Sequence, residues 1–234
     1  MAMTRLELVD FFAQRGKQTA DAMEAALRRR ELDLVAINVY EAFKSRIMEG
    51  LIRWRCDMGS PLECLKGAVE IARKGAALLI GDIGIETVSR EMPLETASII
   101  AFLTDQPIIE FDNSMFEHER LLDSVLGIGL HNGWENTKWA LGLEQLGKRK
   151  RAKLAVETYS VYDELIHAST KEAPALVDQA SQLFARRKKD GYYAGGIQTE
   201  GGGPDNDFTV DYRLAAIMKK IGFRGDSIHA WKWD

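Results

Sequence analysis

The sequence predicts an all-α fold, a multi-helix bundle of two packed helical subregions, and three observations predict it. Apolar residues recur at spacings of three and four through most of the chain; the longest run is Val35, Val39, Phe43, Ile47, Leu51 and Trp54. Such spacing stacks them along one face of a helix. No stretch sustains the alternation that marks a strand. The punctuation is also helical: Ser60-Pro61-Leu62-Glu63 reads as a helix start, and Arg186-Arg187-Lys188-Lys189-Asp190-Gly191 as a helix end. At 234 residues and 46% hydrophobic composition the chain can bury a core.

Taken in order, the first helix is expected from Thr4, with Leu6, Val9, Phe11 and Phe12 apolar, and a break at Gly16 before a second run through Met23, Ala26 and Leu27 into Arg28-Arg29-Arg30. A core helix follows over Leu32 to Asp57, ended by Met58-Gly59. At the next start Ser60 can accept from an orphan amide, Pro61 suits the first turn, and Glu63 is placed to close a capping box. That helix runs through Leu65, Val69, Ile71 and Ala76 to Ile80, where Gly81-Asp82-Ile83-Gly84 interrupts it. A shorter segment from Glu86 and a helix from Pro93 to about Thr104, with Ala97, Ile100 and Phe102 inward, complete a first subregion over 1–105.

The stretch 106–113 loses helical periodicity around Pro107 and forms the expected junction. The second subregion, 114–234, resumes with Phe116, Leu121, Leu122, Val125 and Leu126, is punctuated by Gly127, Gly129, Gly133 and Gly142, and passes Trp134 and Trp139. Helical spacing continues through Leu154, Tyr159, Tyr162, Leu165 and Ile166, and Pro174 opens a helix through Leu176, Val177, Leu183 and Phe184. The glycine-rich loop Gly195 to Gly203 leads to a last helix, Phe208 to Ile221, with Val210, Leu214, Ile217, Met218 and Ile221 on one face and Gly222 as its stop.

Composition narrows the chemistry. A formal charge of −4 provides no overall basic field for nucleic acid or anionic membrane. No apolar run approaches the length of a membrane span, and acids near Met1 interrupt any signal-peptide core, so an unprocessed, cytoplasmic protein is expected. Cys56 and Cys64 form no CxxC motif, and His118, His131, His167 and His229 lack the spacing that puts two imidazoles on one helical face, so neither a metal nor a disulfide is expected. No Gly-x-Ser-x-Gly elbow is present. The 195–203 glycines precede Asp205 and Asp207, which would repel a phosphate, and so read as a flexible or partner-contacting loop. No cofactor and no catalytic residue is expected, and the chain reads as a non-enzyme.

Charge patterning supplies the candidate binding residues. Glu110, Asp112, Glu117 and Glu119 make the densest acidic patch, and Asp205, Asp207 and Asp211 a second. Either reads as capping and solubility charge or, alternatively, as the complement of a basic surface such as the nucleic-acid face of a nuclease, where complementary charge speeds association. The basic run Lys148 to Lys153 reads as a solvated helix end; the alternative is a helical protein that associates with nucleic acid through it. Trp231 and Trp233 are expected to pack against the body of the protein.

Two stretches carry a resemblance. Leu51-Ile-Arg-Trp-Arg-Cys-Asp-Met-Gly59-Ser60-Pro61-Leu62-Glu63, followed by a long helix, resembles the first part of the PoNi-like bacterial immunity proteins, and Tyr212-Arg-Leu-Ala215-Ala216-Ile-Met-Lys-Lys-Ile221-Gly222-Phe223, with Asp226-Ser227 beyond, is similar to the end of their second part. The resemblance implies an all-helical protein that binds a cognate nuclease toxin, often one delivered by a type VI secretion system. It implies a protein partner, while charge and hydropathy lead to no expected membrane or direct nucleic-acid contact. A homodimer is left open.

Overall fold

In the computed structural model, which describes residues 5–82, 94–107, 149–189 and 210–223, every regular element among the described residues is an α-helix. The chain divides into two compact units, Met1–Met115 and Phe116–Asp234. The first contains α1 (Arg5–Arg29), α2 (Leu32–Arg55), α3 (Leu62–Asp82) and α4 (Leu94–Leu103); the second contains α5 (Arg149–His167), α6 (Ala173–Lys189) and α7 (Tyr212–Lys220). The expected segments from Glu86 and over 116–142, the glycine loop, and Trp231 and Trp233 lie outside the described residues.

In the first unit α1 and α2 form an antiparallel hairpin joined by Arg30 and Glu31, and α3 packs on α2 and α4 on α3. The expected break at Gly16 does not occur: α1 runs through it unbroken. Gly16 lies where α1 crosses α2, and a Cβ there would meet only the Ser45 Cβ, at 3.6 Å. Packing of Val9, Met23 and Ala26 along the buried side sustains the helix, against a glycine cost of about 1 kcal/mol. On α2, Val35, Val39, Phe43, Ile47 and Leu51 form the expected buried stripe, while Trp54 is half-buried. α4 differs from the one-sided reading. Ala97 through Ala101, Leu103 and Thr104 are all buried and Phe102 is the half-buried residue, as befits a helix apolar nearly all round.

Four helices end in the same device. After α1, Glu31 N–H donates to the Ala26 carbonyl and Arg30 N–H to that of Leu27; after α2, Met58 N–H donates to Arg53 and Asp57 N–H to Trp54. Gln106 and Asp105 make the matching pair to Ala101 and Phe102 after α4, and Phe223 and Gly222 to Met218 and Lys219 after α7. These are Schellman motifs, which need a left-handed residue. Gly222 supplies it at φ 68°, but Arg30 (59°), Asp57 (55°) and Asp105 (55°) supply the others. The stop of α2 therefore falls at Asp57, before Gly59. At the start of α3, Leu62 N–H donates to Ser60 Oγ at 3.3 Å, as expected, whereas Glu63 lies exposed with its carboxylate 3.6 Å from Lys66 Nζ.

In the second unit α5 and α6 form a hairpin and α7 contacts both. Leu154, Tyr162 and Leu165 of α5 and Val177, Leu183 and Phe184 of α6 are buried. Pro174 occupies the second helical position of α6. The turn before it is locked by Ser169, whose N–H and Oγ donate to Glu172 Oε2 at 3.0 and 2.6 Å. The last helix begins four residues later than its periodicity suggests, because Asp211 caps it. Every residue from Tyr212 to Met218 is buried, so α7 threads the core of its unit instead of presenting one face to it.

Candidate functional site

Of the acids expected to meet a partner, Glu110, Asp112, Glu117, Glu119, Asp205 and Asp207 lie outside the described residues. Asp211 is described and its role is corrected: it is 3% exposed. Its Oδ1 accepts from Leu214 N–H at 3.1 Å, the N-cap bond of α7, and its Oδ2 accepts a hydrogen bond from Tyr162 Oη. A carboxylate committed to a helix amide and a phenol inside the unit is a structural cap. The neighbouring Tyr212 is also fully buried, and desolvation pushes its phenol well above the ordinary value. Within the basic run, Lys148 is outside the described residues and Lys153 is exposed on α5.

The described acids form a different pattern. On α1, Asp10, Asp21 and Glu24 are exposed at positions separated by multiples of the helical turn, with Gln14 and Lys17 between them on the same side. The buried residues of α1, Val9, Met23 and Ala26, occupy the other side. At 1.5 Å per residue the stripe runs about 21 Å from Asp10 to Glu24. Among the described residues none of these three carboxylates has an ion-pair partner. Glu7 extends the acidic side toward the start of the helix, and two large apolar side chains flank it there, Leu6 at 58% and Phe11 at 38% exposure.

The surrounding charge follows the same division. Residues 1–115 hold 14 Lys and Arg against 18 Asp and Glu, so the net −4 of the chain belongs to the first unit; residues 116–234 balance at 17 against 17. The hairpin beneath the stripe is held by Arg15 and Glu41, whose side chains meet at 2.6 Å between α1 and α2. Deeper in the unit Glu49, 3% exposed, accepts from Arg46 at 2.5 Å and Arg53 at 3.0 Å. Burial, and then the Glu49 carboxylate, push the Cys64 thiol above its ordinary value, so this cysteine is protonated at neutral pH and behaves as a packing residue. A further clasp ties the chain after α4 to α3: Arg73 Nη2 donates to the Pro107 carbonyl at 2.7 Å, and Gln106 Nε2 to Glu70 at 3.3 Å.

Fold and surface together define an all-helical protein whose first unit presents an acidic helix face edged with exposed apolar residues. No family model matches the chain, and no curated protein or solved structure matches it either. No described helix is long and apolar enough to cross a membrane.

Proposed function

We propose that this chain is an immunity protein, which binds a cognate bacterial toxin and neutralises it by covering the toxin's active or substrate-binding surface. The single observation that carries the reading is the α1 face. Three carboxylates without described partners, set in helical phase and flanked by Leu6 and Phe11, suit a basic partner with an apolar pocket. A nuclease is such a partner, because the surface that holds its substrate must attract phosphates. Carboxylates on a rigid helix would occupy the phosphate positions and speed encounter, while a few desolvated apolar anchors would supply most of the affinity. The protein then works by occlusion in the cytoplasm and carries out no reaction of its own.

The two stretches similar to PoNi-like immunity proteins support the reading. Leu51 to Glu63 forms the end of α2, a turn and the start of α3, and Tyr212 to Phe223 forms α7 with its glycine stop. Delivery of the toxin by a type VI secretion system belongs to the same proposal.

The test is co-expression with the product of the neighbouring gene. That product is expected to be toxic alone and harmless beside this chain, and an Asp10→Lys/Asp21→Lys/Glu24→Lys variant is expected to lose protection while keeping its helical content. Toxicity that persists beside the unaltered chain rejects the immunity reading; protection undiminished in the triple variant rejects the α1 face as its surface.

A further inference from the structure

A second surface, which shares Phe11 with the edge of the acidic face, lies on another side of the same hairpin. Arg15 of α1 and Glu41 of α2 meet at 2.6 Å, with 31% and 20% of their side-chain surface exposed. Phe11 sits one turn before Arg15, with the guanidinium 6.0 Å from its ring centroid. Ile37 sits one turn before Glu41, and Leu34 about one turn before Ile37. Because α1 and α2 are antiparallel, these steps lead in opposite directions from the ion pair. With Gly16 of α1 against Ser45 of α2, Phe11 lies at one end of the surface and Ile37 at the other, about 20 Å apart along the hairpin axis. Phe11, Leu34 and Ile37 are exposed by 38%, 44% and 49%.

We propose that this side of the α1–α2 hairpin is an isologous interface on which a second copy of the chain docks. Two features select that occupant. Arg15 and Glu41 set opposite charges side by side at the centre of the surface, and a second copy can match each of them. The pattern of apolar end, ion pair, apolar end is also complementary to itself under a two-fold rotation through the pair. Apposed in that way, Phe11 of each copy meets Ile37 and Leu34 of the other, and each Arg15 meets the other copy's Glu41, giving four charges of alternating sign. The Asp10–Asp21–Glu24 stripe is set roughly a quarter turn or more around α1 from Phe11 and Arg15, from the helical pitch alone.

Sedimentation velocity of the full chain over a wide concentration range tests the interface without reference to any toxin. The unaltered protein is expected to dimerise reversibly, and Ile37→Asp to weaken the dimer by about 30-fold or more, as loss of an apolar anchor does. Arg15→Glu alone and Glu41→Arg alone put like charges together in the quartet and are expected to dissociate it; the double exchange Arg15→Glu/Glu41→Arg restores opposite charges and is expected to restore the dimer. All these side chains are at least partly exposed, and circular dichroism should show helical content preserved. A protein that stays monomeric throughout, or a dimer indifferent to both Ile37→Asp and Arg15→Glu, overturns the proposal. A double exchange no better associated than the single ones overturns the two-fold register.

Discussion

Each unit buries one carboxylate among the described residues, and the partners described for the two differ in kind. Glu49 in the first unit and Asp211 in the second are both 3% exposed. Glu49 is compensated by charge, from two guanidiniums whose side chains remain 37% and 36% exposed. Asp211 is held by a backbone amide at the start of α7 and the hydroxyl of the wholly buried Tyr162. Equal burial therefore conceals different dependence. The arginines around Glu49 can turn to water when their partner is lost, whereas the groups around Asp211 belong to the core of their unit and cannot.

The sharpest way to break this comparison is to remove each carboxylate. Asp211→Ala is expected to cost about 3 kcal/mol, combining a lost N-cap with the loss of an acceptor for a buried phenol. Asp211→Asn retains an N-cap acceptor and should recover part of that loss. Glu49→Ala is expected to cost about half as much, because partial exposure of Arg46 and Arg53 discounts the charge left behind. Urea unfolding followed by circular dichroism orders the variants. If Glu49→Ala proves the more destabilising, the guanidiniums are more dependent on their partner than their exposure implies.

Asp211 also shows what the sequence could and could not disclose. The all-helical class, the α2 stripe, the extent of α3 and the Gly222 stop follow from periodicity and capping chemistry, both local properties. Proximity in sequence groups Asp211 with Asp205 and Asp207 and leaves capping and partner contact both open, because whether an acid caps a helix or faces solvent depends on where that helix begins. Periodicity alone places that start four residues early, because Val210 is apolar in phase yet precedes the cap. Three of the four Schellman stops were hidden for a related reason: their left-handed residues are Arg30, Asp57 and Asp105, and tertiary packing bears a conformational cost that glycine would avoid. The α1 acids were legible in principle. Asp10, Asp21 and Glu24 share a helical phase, but they are too far apart in sequence to register as a cluster.

The next contrast lies beside Glu49 itself. Gly50 allows α2 to approach the start of α3 so closely that an added Cβ would stand 2.8 Å from the Cys64 Cβ and 3.2 Å from the Pro61 carbonyl oxygen. Neither obstacle is the end of a flexible side chain. Gly50→Ala is therefore expected to destabilise by about 2 kcal/mol through overpacking. Gly16→Ala meets only the ordinary 3.6 Å contact with Ser45 and should be neutral or stabilising by up to about 1 kcal/mol. Opposite signs for two glycines on neighbouring helices would locate the tight packing at the α2–α3 crossing; a tolerated Gly50→Ala would mean that α3 yields there and that the setting of Glu49 is less rigid than its burial suggests.

The smallest effect concerns a carboxylate of the second unit that faces water. Ser169 donates twice to Glu172, first through its hydroxyl and then through its backbone N–H, and these bonds hold the Glu172 carboxyl below its ordinary value of 4.5. A lowered folded value means that the carboxylate's contribution to stability is present above 4.5 and is lost as pH falls through the folded value. Ser169→Ala removes the larger cause and leaves the backbone donor, so the Glu172 titration measured by NMR should move up toward 4.5 without necessarily reaching it. The stability difference between variant and parent should close as both carboxyls become protonated. An unmoved titration would show that the Ser169 hydroxyl does not hold this carboxylate in solution. Movement without a measurable change in unfolding would instead show that a water-facing carboxylate can be tuned at almost no consequence for the fold, the limit opposite to Asp211.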